Sequence, residues 1–328
     1  MSTKKLPHVL VSSVIRTANF GESHGGLYVV DLESERAEQV VNWDDTNISF
    51  RERGAERGLR GLAFDDGLIY VTTANKIVAY DPNFTVQGEY TNPYLLDCHE
   101  TWLEGRNLYV TSTSYDSVLT FNLDTKTFTD AVCLRNDTDR IAKKILWKIF
   151  GIKNQPGHKV TRFDPSRDGG PRLDDVMHMN GVFVADGVLY LSSYRTRQLL
   201  ALKGDRLEVV APLPENTHNA QLFRDGILVS NTGDDAAMFT DMKGNVRGRY
   251  PTTYVAENEL EFADLPDSVA RAGFVRGLTV YDDTYVIFGT SPATVVIYDL
   301  DSGEWIKSVT LTKDVRNAVH GLEIYPYA

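Results

Sequence analysis

The sequence predicts an all-β protein built as a six-bladed β-propeller, and an internal repeat is the main reason. An apolar stretch, an Asp-Gly type of turn and a β-rich run ending in Ser, Thr or Asn recur along the 328 residues. The copies begin at Arg60, His99, Asn180, Asn219 and Arg276, and a truncated copy begins at His320. Four short strands per unit of roughly 40 residues are typical of a propeller blade.

A second alternating run after each complete copy supplies the outer strands of the predicted blades. Examples are KIVAYDP from Lys76 and TVVIYDLDSG from Thr294. The Asp-Gly and Asp-Ser-Gly turns at these joints have the residues that tight hairpins require. Each unit therefore predicts one antiparallel four-stranded sheet.

The two ends of the chain complete the count of six blades. The segment from His320 supplies one inner strand, and the segments that begin at His8, Gly25 and Ala37 supply three more. Joined, they predict a last blade closed by N- and C-terminal strands, which removes the exposed edge of an open array. We therefore expect residues 1–328 to form a single propeller domain.

Two connections are longer than the repeat allows, at about residues 135–176 and 251–274. The first contains RIAKKILWKIFGIK after Asp139, with apolar residues at helical spacing, and the second contains LPDSVARAG from Leu265. The sequence thus predicts two helical insertions on the top face, where the inner strands begin and the central channel opens. Two alternatives for the first helix are packing on a blade flank and weak binding to a membrane surface.

Composition and charge exclude several classes of function. The chain is 42% hydrophobic and 24% charged, as soluble globular proteins are. Its net charge of −11 argues against a nucleic-acid partner. No apolar run approaches the ~18 residues of a membrane span, and the N-terminal one is too short for a signal peptide. We expect a cytoplasmic protein without a membrane partner, and the oligomeric state is left open.

Four of the seven histidines fall at or next to the start of an inner strand in four different blades. They are His99, His178, His218 and His320. Because inner strands converge near the propeller axis, we expect these imidazoles to face each other across one opening. Imidazoles without a thiolate suit a divalent ion such as zinc, iron or manganese.

His99, His178 and His218 come from consecutive blades and are the predicted metal ligands. The acids before them, Asp97, Asp175 and Glu215, are expected to orient the imidazoles. The alternative is that the histidines only hydrogen-bond neighbouring strands. His178 and His218 also precede the register of Arg60 by two residues and one residue, an offset that can turn a side chain sideways.

Polar residues at the same mouth predict a pocket for a small anionic substrate. Arg60 and Arg276 share one register and could hold a carboxylate or phosphate, or instead pair with Glu100 or Glu323. The predicted substrate-binding set is Arg60, Arg276, Asn180, Asn219 and Asn231. The predicted general acids or bases are His320, Tyr115 and Tyr194.

The blade starts resemble those of streptogramin-lyase-like bacterial propellers. The motifs DCHE at Asp97, HMNG at His178, THNAQ at Thr217 and FVRGL at Phe274 are also similar to an uncharacterised bacterial propeller family. The resemblance to the lyases implies a channel-mouth histidine that acts as a general base beside a divalent cation on the substrate. His320 or His218 would have that role.

Two functions follow as expectations. The first is a metal-dependent enzyme, a lyase or hydrolase, acting on a small polar or anionic substrate in the channel mouth. The alternative is a non-catalytic propeller that binds a peptide, glycan or protein partner on its top face. The first expects a bound divalent metal ion, and the second expects histidines satisfied by protein hydrogen bonds.

Overall fold

Six antiparallel sheets, one for each predicted blade, make up the fold. The structure is a computed structural model that describes residues 5–19, 21–44, 58–136 and 158–328. Five sheets have four strands and one has five, so the predicted all-β six-bladed propeller is confirmed.

The strands follow one another along the chain as the repeat predicts. The N-terminal strands are β1 (His8–Ile15), β2 (Gly26–Asp31) and β3 (Arg36–Asn42). Blade one contains β4 (Leu62–Asp65), β5 (Leu68–Thr72), β6 (Lys76–Tyr80) and β7 (Val86–Thr91). Blade two contains β8 (Cys98–Glu104), β9 (Asn107–Ser112), β10 (Ser117–Asn122), β11 (Thr127–Asn136) and β12 (His158–Phe163).

The remaining blades are regular. Blade three contains β13 (Met179–Ala185), β14 (Val188–Ser193), β15 (Gln198–Lys203) and β16 (Arg206–Pro212). Blade four contains β17 (Thr217–Phe223), β18 (Gly226–Asn231), β19 (Ala236–Asp241) and β20 (Val246–Pro251). Blade five contains β21 (Arg276–Tyr281), β22 (Tyr285–Thr290), β23 (Thr294–Asp299) and β24 (Trp305–Thr310), and β25 (Asn317–Ile324) ends the chain.

The last blade joins the two ends of the chain. Its strand order is β25–β1–β2–β3, so the C-terminal strand is innermost and the N-terminal strands lie outside it. Val11 pairs with Leu322 on one side and with Tyr28 on the other. The predicted closure by N- and C-terminal strands is confirmed.

Asp-Gly turns join inner strands to their neighbours as the sequence predicts. Asp66 and Gly67 have φ of 45° and 74°, and Asp186 and Gly187 have 51° and 72°. Two consecutive positive φ angles define a type I′ turn, whose twist matches that of the strands it connects. The hydrophobic core lies between neighbouring blades: Val9, Val11 and Val30 of the last blade pack against Ile287, Val295 and Ile297 of blade five.

The two insertions differ from the prediction. The helix predicted after Asp139 falls on residues outside the described ranges. The described part of the first insertion forms β12, which pairs with β11 as a fifth strand of blade two. The helix predicted from Leu265 is wrong. Only a single turn forms there, in which the N–H groups of Val269 and Ala270 donate to Pro266 O.

The turn does not continue into a helix because the residues that follow it bind to blades four and five. Gly273, at φ +83°, donates its N–H to Ser291 O of blade five, and the Arg271 side chain pairs with Asp235. The described helical elements are two 3₁₀ turns, Thr113–Tyr115 and Glu257–Glu259. Within the described ranges, no helix is long and apolar enough to cross a membrane.

Candidate functional site

A cavity of about 840 Å³ lies where several inner strands begin. The second insertion covers part of it and contributes five of its residues, while the segment directly after β1 contributes two. The lining residues are Arg16, Thr17, His99, His178, Tyr194, Asn216, His218, Thr232, Gly233, Asp267, Ser268, Val269, Arg271, Phe274 and Arg276.

A β-bulge at the start of the inner strand explains why residues from different repeat offsets meet here. The pairing register shifts once near the start of β8, β13, β17 and β21, and once in the pairing of β25 with β1. A bulge adds one residue and re-aims the side chains around it. His178 and Asn219 also have positive φ, at 52° and 46°. The offset in sequence register therefore does not turn the histidines away.

The four predicted histidines converge, with His99 at the centre. The ring centroid of His99 lies 5.3 Å from that of His178, 6.5 Å from that of His218 and 5.5 Å from that of His320. His99 and His218 are almost fully buried, whereas the His178 side chain is 23% exposed to the cavity. The structure therefore brings imidazoles from four blades together, as the sequence predicts.

The hydrogen bonds around His99 determine which ring nitrogen carries the proton. Its Nδ1 lies 3.0 Å from Asp97 O and 2.9 Å from Thr113 Oγ1. The Thr113 hydroxyl donates its one hydrogen to Met179 O at 2.6 Å, and a carbonyl only accepts. His99 Nδ1 must therefore be the donor, which leaves a lone pair on Nε2.

The same tautomer follows for the other two predicted ligands. His178 Nδ1 lies 3.0 Å from the Asp175 carboxylate, and His218 Nδ1 lies 3.4 Å from Asn216 O. Neither acceptor carries a hydrogen to give, so Nδ1 donates in both rings. All three imidazoles thus keep Nε2 free to bind a ligand.

Burial keeps the innermost imidazoles uncharged. It lowers the pKa of His99 to about 3, although the nearby Asp97 opposes the shift. Burial and then the Arg276 guanidinium hold the pKa of His218 and of His320 well below the usual value. These three rings are neutral at physiological pH, the form in which an imidazole binds metal or accepts a proton.

The buried Asp116 carboxylate fixes the backbone that carries His178. It accepts the N–H groups of Val176, Met177 and His178 at 2.7, 3.0 and 3.1 Å. Asp116 itself lies in the turn between β9 and β10 at φ 46°. The Asp116 side chain therefore fixes three consecutive N–H groups where the first insertion enters blade three.

Asp116→Ala should lower the free energy of unfolding by roughly 1.5–3 kcal/mol, because three buried N–H groups lose a charged acceptor. Chemical denaturation measures the change. Asp225→Ala is the matched control, since Asp225 is exposed and pairs with the half-exposed Arg247. It should cost less than about 1 kcal/mol. Equal losses in the two variants would contradict the anchoring role of Asp116.

Three arginines surround the ring of Phe274 at the cavity wall. The guanidinium carbons of Arg16, Arg276 and Arg271 lie 4.2, 4.8 and 5.7 Å from its centroid. Arg271 also pairs with Asp235 at 2.6 Å. The acidic residue on the same lining is Asp267. The wall is therefore positively charged and suits an anion, with an aromatic face beside it.

The predicted tyrosines have different positions. Tyr194 lines the cavity, with ring centroids 5.5 Å from His178 and 5.7 Å from His218, and its hydroxyl donates to Asn216 Oδ1 at 2.5 Å. Tyr115 is outside the lining, packs edge-on against Tyr94 and donates to Pro93 O. The structure brings Tyr194 to the histidines and leaves Tyr115 away from them.

Arg60 is not placed as the substrate-binding prediction requires. Its side chain is 1% exposed, lies outside the cavity lining, and binds Asp97 Oδ1 at 2.8 Å as well as Cys98 O. Pairing with an acid was the alternative prediction, but the partner is Asp97 rather than Glu100 or Glu323. Arg276, in contrast, lines the cavity as predicted.

The three predicted substrate-binding asparagines use their amides inside the protein. Asn180 donates to Thr217 O and accepts from Ser192, and Asn219 Oδ1 accepts Gly277 N–H. Asn231 Oδ1 accepts the backbone N–H groups of the following turn. None of the three lines the cavity. They hold strands and turns together, because inner-strand starts also need groups that satisfy the bulged backbone.

Of the three acids predicted to orient the imidazoles, one hydrogen-bonds a histidine through its carboxylate. Asp175 does so toward His178, whereas Asp97 offers His99 its backbone carbonyl and Glu215 pairs with Arg197 at 2.6 Å. Sequence reasoning missed Arg16, Arg271 and Phe274. Two of them could have been found: Phe274 begins the FVRGL motif, and Arg271 lies in the insertion 251–274, which was expected to overhang the channel mouth.

The histidine cluster offers donor atoms of the kind that a divalent metal ion binds. Among the described residues, no three His, Cys, Asp or Glu side chains already form a metal centre. The donor chemistry nevertheless suits one, because metal-binding imidazoles donate their other N–H to a carboxylate or carbonyl. A tetrahedral ion with metal–nitrogen bonds of about 2.1 Å holds two imidazole centroids about 5.2 Å apart. The separation of His99 from His178 is close to this value, whereas His218, at 6.5 Å, would have to move about 1 Å closer to His99.

Comparisons with known proteins place the chain by fold. No protein-family model and no curated protein matches it. A chain of the nidogen/laminin complex matches with a TM-score of 0.55 and 13% identity, over 96% of this chain and 97% of that one. A protein of unknown function from Bacteroides caccae matches with a TM-score of 0.54 and 10% identity, over 97% and 98%.

A catalytically inactive virginiamycin B lyase from Staphylococcus aureus is also similar, with a TM-score of 0.44 and 11% identity over 76% of this chain and 69% of that one. Virginiamycin B lyase is a streptogramin lyase, so solved structures of both predicted kinds of relative are among the matches. At these identities the likeness concerns the fold alone. The chain is a six-bladed β-propeller that resembles the streptogramin lyase and an uncharacterised Bacteroides propeller.

Proposed function

We propose that the protein is a metal-dependent enzyme, a lyase or hydrolase, that acts on a small anionic molecule in the channel-mouth cavity. One observation carries the proposal: three imidazoles with free Nε2 atoms share a cavity with Arg16 and Arg276. A purely structural histidine would not need a neighbouring cavity of about 840 Å³.

His99, His178 and His218 would hold the ion, which we propose to be zinc, iron or manganese. When bound, a divalent ion polarises a carbonyl group or lowers the pKa of a bound water molecule. Neutral imidazoles do not compensate the ion's charge, and the arginines of the cavity wall add to it. Both features favour an anionic substrate.

The chain's own residues would bind and orient that substrate. Arg276 and Arg16 offer planar guanidinium groups to a carboxylate or phosphate, and the Phe274 ring limits where the rest of the molecule can lie. The Tyr194 hydroxyl donates to Asn216, so its oxygen keeps lone pairs that can accept a substrate hydrogen bond. The second insertion, through Asp267 and Ser268, would restrict access of water from the top face.

The test is the metal content of the purified, untagged protein, measured by plasma mass spectrometry after chelation and after reconstitution with each ion. The proposal predicts near-stoichiometric binding of one ion that is lost in His99→Ala and in His218→Ala. His8→Ala is the control, since His8 lies opposite Asp31 outside the cavity and should keep the ion. A wild-type protein that binds none of the ions contradicts the proposal, and the non-catalytic binding propeller would then be the better account.

A further inference from the structure

The cavity lining has a second polar region besides the arginines around Phe274. This neutral patch consists of Tyr194, Asn216, Thr232 and Gly233. The His218 ring lies beside both regions, with its centroid 6.3 Å from that of Phe274 and 5.7 Å from that of Tyr194. Arg271 donates to Thr232 O, but Asp235 balances its charge at 2.6 Å. The patch therefore offers hydrogen bonds without a net charge, next to a wall that binds anions.

Asn216 is fixed in this patch through both of its oxygens. Its backbone has φ 62°, a left-handed conformation that asparagine adopts more readily than most residues. Its carbonyl accepts the N–H of Thr232 at 3.1 Å and the Thr232 hydroxyl at 3.0 Å. Its Oδ1 accepts the Tyr194 hydroxyl at 2.5 Å. The Tyr194 hydrogen bond thus determines which end of the amide is the oxygen and which is the N–H₂ group.

The N–H₂ group of Asn216 remains for a ligand. No described residue accepts a hydrogen bond from Nδ2. Gly233 leaves room for this group, because a Cβ atom at that position would lie 2.3 Å from Asn216 Nδ2. A glycine is used where another group must approach the backbone this closely. Since Asn216 lines the cavity, its two N–H donors are available to a bound molecule.

Tyr194 supplies a hydrogen-bond acceptor beside these donors. Its hydroxyl gives its hydrogen to Asn216 Oδ1, so its oxygen keeps lone pairs. Oδ1 and Nδ2 belong to one amide group, and the acceptor and the donors are therefore close together. A hydroxyl group both donates and accepts, whereas a carboxylate or a phosphate dianion only accepts. The Tyr194–Asn216 pair is thus complementary to an uncharged hydroxyl group. Of the other predicted acids or bases, Tyr115 and His320 lie outside the lining.

We propose that the substrate is a hydroxylated anion of the size and chemistry of a sugar phosphate or sugar acid. Its charged group binds Arg16 and Arg276, and one of its hydroxyl groups binds between the Asn216 N–H₂ group and the Tyr194 oxygen. Asn216 is then a specificity-determining residue. This inference rests on the proposed function and names the substrate class of the same site. A cavity of about 840 Å³ is in the range of pockets that enclose such molecules, and is larger than a bare phosphate requires.

The test measures the affinity ratio within two pairs of anions by isothermal titration. One pair is glucose 6-phosphate and cyclohexylmethyl phosphate, and the other is glucuronate and cyclohexanecarboxylate. The members of a pair share the charged group and a six-membered ring, but only one carries hydroxyl groups. Wild type should prefer the hydroxylated member of at least one pair by about tenfold. The pair that shows the preference identifies the charged group as phosphate or carboxylate.

Asn216→Asp should lose most of this preference. The carboxylate still accepts the Tyr194 hydroxyl and suits the left-handed backbone, but it has no N–H₂ group. Its added charge weakens both members of a pair, so the ratio isolates the lost hydrogen bond. Asn83→Asp is the control, since Asn83 is exposed outside the cavity lining and should keep the wild-type ratio. If Asn216→Asp does not fold, Asn216→Gly replaces it, because glycine adopts a positive φ without strain.

The outcomes separate this inference from the proposed function. Wild type that binds the anions without preferring hydroxyl groups overturns the inference and leaves the anionic substrate standing. A preference that persists in the Asn216 variant also overturns it, because other groups would then recognise the hydroxyl. Wild type that binds neither member of either pair contradicts both the inference and the anionic substrate. The metal content of the same preparations tests the metal centre independently of these ratios.

Discussion

Asp97→Ala should lower the free energy of unfolding by about 3 kcal/mol, because it leaves the Arg60 guanidinium buried without its carboxylate. Arg60 is 1% exposed and its NH1 lies 2.8 Å from Asp97 Oδ1. Burial opposes ionisation of Asp97, but the charge and hydrogen bond of the Arg60 guanidinium favour the carboxylate, and the pKa of Asp97 lies below the ordinary value. The ion pair therefore connects Arg60, at the start of blade one, to Asp97, which directly precedes β8 of blade two.

Chemical denaturation of a double-mutant cycle tests the prediction. Arg60→Met/Asp97→Ala removes both charges and should recover much of the loss, because no uncompensated charge remains. A matched exposed pair is Arg224 and Asp301, where Asp301→Ala should cost less than about 1 kcal/mol. If Asp97→Ala is as mild as Asp301→Ala, the ion pair does not have the structural role assigned to it.

Arg276→Gln should weaken binding of a small dianion by about 10–100-fold, the effect of losing one charge-assisted hydrogen-bond partner. Arg276 lines the cavity, lies 4.8 Å from the Phe274 centroid, and contributes to keeping His218 and His320 uncharged. Loss of this cation removes positive charge from the wall beside the histidines.

Isothermal titration with malonate and with inorganic phosphate measures the effect. The control is Arg247→Gln, whose side chain pairs with Asp225 outside the cavity lining and should leave binding unchanged. Equal affinities for wild type and Arg276→Gln, with either anion, would contradict the anionic substrate. A loss in both variants would indicate a general charge effect rather than a binding site.

The fold could be predicted because the sequence pattern of one blade repeats along the chain. The Asp-Gly turns, such as Asp66–Gly67, and the alternating runs between them recur at each blade, and the truncated copy at His320 required the N-terminal strands to complete it. The second insertion could not be predicted in the same way. LPDSVARAG has helical spacing, but Gly273 and Arg271 bind residues of blades four and five, which are distant in sequence.

The site was predicted where it follows the repeat and missed where it does not. His99, His178, His218 and His320 lie at or next to the start of an inner strand, and bulges bring them together despite unequal offsets. Arg60 shares the register with Arg276, yet it is buried in an ion pair with Asp97 and does not reach the cavity. Arg16 and Arg271 lie outside the repeat, so no internal comparison indicates that they reach the same ring of Phe274.

The most direct measurement of the central claim is anomalous diffraction from crystals of the metal-reconstituted protein, collected on both sides of the absorption edge of the bound ion. The account predicts one strong peak near the axis, at about 2.0–2.2 Å from the Nε2 atoms of His99, His178 and His218. A cavity without any peak, or a peak bound only by residues outside the histidine cluster, would contradict it.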